Sequence, residues 1–244
     1  MECSKCHQNS IIFQPYSGQY LCERHFVAEI ETKVKRVIRQ HQWLKPGDHI
    51  GVLLSGNRDS GALLYFLNAL TSKRRDIKIS AFTTETGTGK DRNLLDAGQI
   101  ADIARKNKFT GIAVGYTLED FSRSVLANFL SGCPVWENHH TDQDHRLFRW
   151  IFPFMAVSAR EIALYAHLYG VGCDPGPCIT HKNSFHNDVM KLLSEYTDHH
   201  PATMYALLAL GENLSKTCGA GELYFLSPEL KQGCSEDPLD GVSF

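Results

Sequence analysis

Short apolar runs alternate with helical patterns through the middle of the chain. Residues 49–55 form a continuous apolar run, as is typical of a strand buried on both faces of a parallel sheet, and residues 77–83 and 111–115 predict two further strands. Each is followed by a segment with apolar residues at helical spacing: 59–70, 93–106 and 118–130. This order predicts parallel βαβ units, and therefore an α/β fold with a doubly wound parallel sheet.

The segments on either side of this core differ from it. Residues 1–26 contain three of the eight cysteines and predict a small separate module. Further helices are predicted at 27–42, 159–169, 186–196 and 201–210. The predicted organisation is a metal module (1–26), a linker helix (27–48), an α/β domain with a helical C-terminal part (49–213) and a tail (214–244).

Composition narrows the class of protein. The 244 residues are 43% hydrophobic, which is enough for a sizeable core, and the formal charge of −2 excludes a protein that coats nucleic acid through net charge. No apolar run reaches the roughly 18 residues of a membrane helix, and no signal peptide is evident, so we expect a cytoplasmic protein without membrane contact. Basic residues on the 27–42 helix and at 73–75 fit either a solvated face or an RNA contact.

Four potential metal ligands lie near the start of the chain. The pattern is Cys3-x2-Cys6, fifteen residues, then Cys22-x2-His25. Three thiolates and one imidazole at this spacing predict a closed, structural Zn²⁺ site with no open position for chemistry. Because so small a module cannot form its own core, metal binding would supply its folding free energy. Redox thiols are the alternative.

The turn after the first strand is a candidate anion site. It reads Ser55-Gly56-Asn57-Arg58-Asp59-Ser60 and joins a buried strand to a helix, which directs backbone N–H groups at a ligand. Asp59 can cap the helix or reach a phosphate-bound Mg²⁺. The Walker pattern is absent. An ordinary strand-to-helix turn remains the alternative.

Together these two motifs resemble a known family. The loop SGNRDS is similar to the SGGxDS loop of the PP-loop ATP pyrophosphatases, and the preceding CxxC…CxxH module resembles the tRNA 2-thiouridine sulfurtransferases of the TtuA/TtcA type. The resemblance covers roughly residues 3–213. Further segments that fit the family are Gly115–Asp120 (GHNxDD), Pro153 with Glu161, Ile162, Tyr165 and Ala166 (P…EIxxYA), Cys178 with 183–185 (CP…SFR), and 199–201 (hPG).

The resemblance implies an activity and a set of site residues. ATP would be cleaved to AMP and pyrophosphate while a tRNA uridine is adenylated for 2-thiolation. Residues Ser55 to Ser60 and Gly115 would hold ATP, Ala81 and Phe82 would face adenine, and Asp59 and Asp120 would hold Mg²⁺. Lys90 or Arg92 could contact phosphate. Expected partners are tRNA, a sulfur-carrier protein or an intact paralogue, and a second copy of the chain.

The sequence also departs from the family. No cysteine lies between Cys22 and Cys133, so the central CxxC is absent and only Cys178 of three cluster cysteines is present. A [4Fe–4S] cluster is therefore not expected. The loop's second glycine is Asn57, which tolerates positive φ, while Tyr116 and Glu119 replace a His and an Asp. Cys218 and Cys234 are remnants of a second zinc site.

These departures leave other functions open. One is a non-catalytic nucleotide- or RNA-binding paralogue that partners an intact sulfurtransferase. Another is a PP-loop enzyme that adenylates a different acceptor. The polar residues at 139–145 fit either a metal site or a solvated loop, and Cys133 is either a catalytic thiol or an ordinary residue. Cys133 and Cys173 lack the spacing of the family's cluster cysteines, and His181 and His186 are interpreted as ordinary polar residues.

Overall fold

The structure is a computed structural model that describes residues 1–84, 97–131, 148–172 and 184–217. Its strands are β1 (Ile12–Gln14), β2 (Gln19–Leu21), β3 (His49–Leu53), β4 (Lys78–Phe82), β5 (Gly111–Ala113) and β6 (Arg149–Ile151). Its helices are α1 (Glu23–Gln40), α2 (Arg58–Thr71), α3 (Ala97–Asn107), α4 (Leu118–Leu130), α5 (Ala159–Leu168), α6 (Ser184–His199) and α7 (Thr203–Thr217).

The N-terminal module is a β-hairpin that leads directly into a helix. Strands β1 and β2 pair antiparallel, with Ile12 opposite Leu21, around a turn that Gly18 closes at a φ of 65°. Cys22 follows β2 and is the N-cap residue of α1. The apolar face of α1 is buried through Phe26, Ile30, Val34, Val37 and Ile38.

The central sheet has four parallel strands in the order β4-β3-β5-β6. Ile50 of β3 pairs with Ile79 on one side and with Gly111 on the other. The chain passes from β3 to β4 and then returns across β3 to β5, so the strand order reverses between β3 and β5. In open α/β sheets ligands bind at such a reversal, beyond the carboxyl ends of the strands.

Helices cover both faces of this sheet. Right-handed crossovers require α2 on one face and α3 and α4 on the other. In agreement, α2 packs against α5, whereas α4 packs against α6 and α7. Large side chains fill the core between the layers, and fully buried examples are Phe66, Phe121, Phe152, Phe154 and Tyr165. The doubly wound α/β fold predicted from the sequence is confirmed.

Some elements differ from their predicted bounds. Helix α1 begins at Glu23 rather than 27, so the boundary drawn between module and linker helix lies inside its first turn. The hairpin and β6 were not predicted, because strands of three residues are too short to show a period. Helix α7 continues to Thr217, beyond the start of the predicted tail.

In the part of the chain described, no helix combines the length and apolar character needed to cross a membrane.

Candidate functional site

The N-terminal module brings its four candidate ligands together. The ligand atoms of Cys3, Cys6, Cys22 and His25, here called the metal cluster, all lie within 4.8 Å of one another. His25 Nδ1 is 3.3 Å from Cys3 Sγ and 3.4 Å from Cys22 Sγ, and the Sγ atoms of Cys6 and Cys22 are 3.7 Å apart. The structure therefore shows a metal-binding cluster where the spacing predicted one.

These distances can be compared with those of a tetrahedral metal site. Bonds of about 2.3 Å to sulfur and 2.0–2.1 Å to nitrogen place ligand atoms roughly 3.8 Å (S to S) and 3.6 Å (S to N) apart. The observed separations lie close to both values. Burial disfavours the Cys3 thiolate, but the backbone amides of Cys22 and Lys5 outweigh it and lower the Cys3 pKa to about 6. An anionic thiolate is the form that binds metal.

Residues 55–60, the predicted phosphate-binding loop and here called the phosphate loop, lie between β3 and α2. Gly56 has a φ of 79°, a left-handed conformation that glycine adopts without strain. Asn57 caps α2, because its side-chain oxygen accepts a hydrogen bond of 2.9 Å from the Ser60 amide. The buried Ser60 hydroxyl donates to the Asn57 carbonyl at 2.9 Å and accepts from the Ser55 amide at 3.3 Å. The loop is thus held by its own side chains.

Two expectations about this loop are wrong. Asn57 was expected to use its tolerance of positive φ, but its φ is −84°, and the left-handed residue is Gly56. Asp59 was considered as the helix cap, but Asn57 occupies that position and Asp59 lies in the first turn. Because an N-cap residue needs an extended backbone and a short polar side chain, asparagine suits this position better than a second glycine.

Two acidic residues lie at the carboxyl edge of the sheet. Burial and the nearby Asp120 carboxylate raise the pKa of Asp59 to about 6, against the opposing charge of Arg58. Asp120 is engaged locally: its Oδ2 accepts from the Thr117 amide at 2.9 Å, and its Oδ1 is 3.1 Å from the Arg123 guanidinium. Asp120 therefore completes a capping box at the start of α4. Mg²⁺ ligation by this pair stays a prediction.

Gly115 lies against the phosphate loop. A Cβ added to Gly115 would stand 3.0 Å from the backbone of Asp59 and of Ser60, so only glycine fits there without moving the loop. Ala81 and Phe82 end the neighbouring strand, where the Leu54 amide donates to the Phe82 carbonyl at 2.9 Å. Ala81 is exposed, while the Phe82 ring packs on Phe109 with centroids 5.4 Å apart. The adenine role of both residues stays a prediction.

A buried polar group was not recognised from the sequence. Glu161 is 2% exposed, and its Oε1 accepts from Gln14 Nε2 at 2.6 Å and from the Tyr16 hydroxyl at 2.7 Å. Lys33 Nζ is 3.7 Å from the same oxygen and contacts the Tyr16 hydroxyl. Oε2 accepts from the Ser158 amide at 3.1 Å. We call these five residues the Glu161 network.

Only part of the Glu161 network has a recognisable sequence pattern. Ser158-x-x-Glu161 is a capping-box pattern, and the structure contains that box. Lys33 was assigned to a basic helix face, but its side chain is buried and lies over the Tyr16 ring, with Nζ 4.2 Å from the ring centroid. Burial lowers the Lys33 pKa, and the Glu161 charge opposes that shift.

Other candidate residues have different outcomes. His186, interpreted as an ordinary polar residue, is buried at 7% exposure on α6. The remaining candidates lie outside the described residues: Lys90, Arg92, Cys133, residues 139–145, Cys173, Cys178, His181, Cys218 and Cys234.

Comparisons with known proteins agree with this architecture. Residues 2–27 match the family model described as the N-terminal LIM domain of 2-thiouridine synthetase TtuA. The tRNA 2-thiolation protein NcsA of Haloferax volcanii is 25% identical, with 88% of this chain and 87% of that protein aligned. The tRNA-5-methyluridine(54) 2-sulfurtransferase of Pyrococcus horikoshii is 24% identical over 84% of this chain and 80% of its own.

A solved structure shares the fold. It is titled U34-tRNA thiolase NcsA from Methanococcus maripaludis with its [4Fe–4S] cluster, and it superposes with a TM-score of 0.74 at 18% identity, covering 88% of this chain and 87% of that one. Fold and metal cluster thus define an α/β protein with a LIM-type metal module. The similar proteins are named as a tRNA 2-thiolation protein and a tRNA 2-sulfurtransferase, so the resemblance found in the sequence is confirmed.

Proposed function

We propose that the chain binds Mg·ATP at the phosphate loop and adenylates a tRNA uridine for 2-thiolation. The observation that carries this proposal is the geometry at the sheet reversal. Gly56 turns the chain from β3 into the N-terminus of α2, and Gly115 lies against that turn with no room for a side chain. The positive end of a helix behind a glycine turn is suited to binding phosphate.

Specific residues would carry the binding. The exposed residues Ser55 and Gly56 would contact phosphate oxygens, and Asp59 stands at the helix start. Ser55 would do so through its hydroxyl, because its amide already donates to the Ser60 hydroxyl. Asp59 and Asp120 would hold Mg²⁺, which supplies charge neutralisation on the phosphates when bound. Because Asp59 titrates near pH 6, it is predominantly ionised at neutral pH, as a metal ligand must be.

The chemistry proposed is an adenylyl transfer. The C2 oxygen of a tRNA uridine attacks the α-phosphorus of ATP, and the bond to the β-phosphate oxygen breaks to release pyrophosphate. The thiocarboxylate sulfur of a sulfur-carrier protein would then attack C2, and AMP leaves with the original oxygen. Water hydrolyses the remaining acyl–sulfur bond, which returns the carrier as a carboxylate and leaves the sulfur on C2. Only Cys178 matches the family's three cluster cysteines, so sulfur is proposed to arrive without a cluster, either from a sulfur-carrier protein directly or through Cys178.

The metal cluster has a separate role. Three sulfurs and one imidazole nitrogen within 4.8 Å of one another fit Zn²⁺, which would hold the hairpin and the start of α1 together. All four ligand positions come from the protein, so this site is proposed to be structural. A relative in Anopheles gambiae is named cytoplasmic tRNA 2-thiolation protein 1, and the same location and a tRNA substrate are proposed here.

Calorimetric titration with Mg·ATP tests the nucleotide site. Wild type is compared with Asp59→Ala and with Asp102→Ala, which removes an exposed aspartate on α3 that pairs with Arg105. We expect Mg²⁺-dependent binding in wild type and Asp102→Ala, and its loss in Asp59→Ala. Gly115→Ala should also lose binding, since the added methyl group displaces the loop backbone.

The next step separates an enzyme from a binding protein. Pyrophosphate release is followed with and without tRNA, and thiolated uridine is measured by mass spectrometry of digested tRNA. Binding with tRNA-dependent pyrophosphate release supports the proposal. Absence of ATP binding by folded, zinc-loaded wild type would overturn it, and binding without turnover would point to a nucleotide-binding partner of an intact sulfurtransferase.

A further inference from the structure

The Glu161 network joins the metal module to the α/β domain. Gln14 and Tyr16 of the hairpin donate hydrogen bonds to Glu161 Oε1, and Lys33 of α1 forms an ion pair with the same oxygen at 3.7 Å. Both elements begin or end at the metal cluster, because Leu21 of β2 precedes Cys22 and α1 carries His25 in its first turn. A metal ion in the cluster would therefore fix the position of the donors that reach Glu161.

Hydrogen bonds continue from Glu161 toward the phosphate loop. Glu161 Oε2 accepts from the amide and the hydroxyl of Ser158, both at 3.1 Å, and so fixes the start of α5. The next amide, that of Ala159, donates to Glu119 Oε2 on α4 at 2.8 Å. The Leu118 amide donates to the Val157 carbonyl at 3.0 Å. The starts of α4 and α5 are thus held together by two hydrogen bonds.

The final step is a backbone contact. Residues 114–117 connect β5 to α4, and Asp120 fixes this connection by accepting from the Thr117 amide at 2.9 Å. Gly115 within it lies against the backbone of Asp59 and Ser60. A displacement at the start of α5 is therefore passed to α4 and from there to the phosphate loop.

We propose that Glu161 is a positioning residue through which the metal module sets the geometry of the phosphate loop. Metal in the cluster then strengthens Mg·ATP binding, and the two sites are coupled although neither ligand touches Glu161. The inference rests on the proposed ATP binding. A coupling of ordinary size changes affinity by about tenfold, and it must be the same in both directions.

Two affinities test this coupling. The Mg·ATP dissociation constant of the full-length chain is measured with the cluster zinc-loaded and after a zinc-selective chelator has emptied it, in excess Mg²⁺. We expect binding about tenfold weaker without zinc. Zinc affinity, measured by competition with a chromophoric chelator, should rise by the same factor when Mg·ATP is added. Equal affinities in both comparisons would overturn the inference.

A single variant tests the route through Glu161. Tyr16→Phe removes the hydroxyl that donates to Glu161 but keeps the ring on which Lys33 lies. We expect unchanged zinc content and Mg·ATP binding about threefold to fivefold weaker in the zinc-loaded chain. The coupling ratio, which is the Mg·ATP dissociation constant without zinc divided by that with zinc, should move closer to one. An unchanged coupling ratio in Tyr16→Phe would contradict the assigned route.

The matched control disrupts a buried ion pair elsewhere. Asp48 and Arg149 pair at the amino edge of the sheet, opposite the phosphate loop, and Asp48→Asn removes that pair. Asp48→Asn should lower the free energy of unfolding but leave Mg·ATP binding about tenfold weaker without zinc than with it. If Asp48→Asn reduced the coupling ratio as much as Tyr16→Phe, general destabilisation would explain both results, and the inference would fail.

Hydrogen exchange separates this inference from the proposed function. If wild type binds no ATP, the proposed function fails, but the route can still be followed. Zinc removal should then speed hydrogen exchange at the Thr117 and Ala159 amides. The amide of Val52, in the central strand β3, should continue to exchange slowly. Unchanged exchange at Thr117 and Ala159 would overturn the inference in that case also.

Discussion

The carboxylate of Glu119 accepts a hydrogen bond of 2.8 Å from the backbone amide of Ala159 and so joins the first turns of α4 and α5. The family motif places an aspartate at this position. The longer glutamate side chain of this sequence reaches across to the neighbouring helix. Burial raises the pKa of Glu119, although the Ala159 amide favours its charged form. A departure from the family motif thus has a structural role.

Replacement of Glu119 should separate its hydrogen bond from its charge. Glu119→Ala leaves the Ala159 amide without its partner, so we expect a loss of about 1–2 kcal/mol in the free energy of unfolding. Glu119→Gln keeps an acceptor oxygen and should lose less than half of that. Urea unfolding at pH 7 measures both values, and equal losses in the two variants would contradict the assigned hydrogen bond.

Asp59 should reduce stability at neutral pH. Its pKa is about 6 in the folded chain against an ordinary value of 3.8, so the folded state resists its ionisation. The resulting decrease in the free energy of unfolding is absent below pH 3.8 and reaches its full size above pH 6. Asp59→Asn should therefore be more stable than wild type by about 1–2 kcal/mol at pH 7.5, because the carboxylate is only partly buried, and nearly equal to it at pH 3.5.

Urea unfolding at these two pH values checks the Asp59 prediction. Asp102→Asn on the exposed surface of α3 is the control and should track wild type at both. A variant Asp59→Asn that is less stable than wild type at pH 7.5 would show that the carboxylate makes favourable contacts instead.

The buried pair of Asp48 and Arg149 should have the opposite pH dependence. Burial alone would raise the Asp48 pKa, but hydrogen bonds from the Lys45 amide, Arg149 and Thr110 outweigh it and hold that pKa below its usual range. The pair's stabilisation is therefore present above pH 3.8 and is lost as pH falls through the lower folded pKa. Asp48→Asn should cost about 2–3 kcal/mol at pH 7.

The difference between wild type and Asp48→Asn is followed by thermal or urea unfolding from pH 7 to pH 2.5. We expect it to shrink only below pH 3.8. A difference that is constant over this range would mean that the Asp48 charge does not contribute.

Removal of one metal ligand should unfold the N-terminal module. Cys22→Ser replaces a thiolate that also occupies the N-cap position of α1, so zinc content should fall from one ion per chain toward zero. Cys234→Ser, a cysteine outside the metal cluster, should retain full zinc content. Inductively coupled plasma mass spectrometry gives the zinc content, and limited proteolysis reports whether residues 1–22 become cleavable.

Asn57 can be tested as the cap of α2. Asn57→Ala removes the acceptor of the Ser60 amide and should lower stability by about 1 kcal/mol, whereas Asn57→Gly restores the family's loop sequence and should cost only a few tenths. Neither change removes a proposed phosphate contact of Ser55 or Gly56. If Asn57→Gly abolished Mg·ATP binding, the asparagine side chain itself would have to contact the nucleotide.

Local patterns predicted most of the fold. The helix predicted at 118–130 begins and ends at those residues in the structure, because its apolar spacing and its Thr-x-x-Asp capping box are local signals. The metal cluster could also be predicted from the sequence, since all four ligands lie within 23 residues and their spacing alone restricts the chemistry. The turn from strand to helix at 55–60 was also predicted and is present in the structure, although its left-handed residue and its cap residue were predicted wrongly.

The remaining features depended on contacts between distant segments. Glu161 meets Gln14 across 147 residues of sequence, and no periodicity identifies which side chain will satisfy a buried carboxylate. Lys33 belongs to a helix with a basic sequence, which does not show that its side chain is largely buried. That burial depends on Tyr16 and Glu161, which lie elsewhere in the sequence. The sequence by itself determined the elements, the α/β class and the metal ligands, since those follow from local periodicity and spacing. Only the tertiary structure decided which buried polar groups are paired, because that pairing depends on which segments the fold brings together.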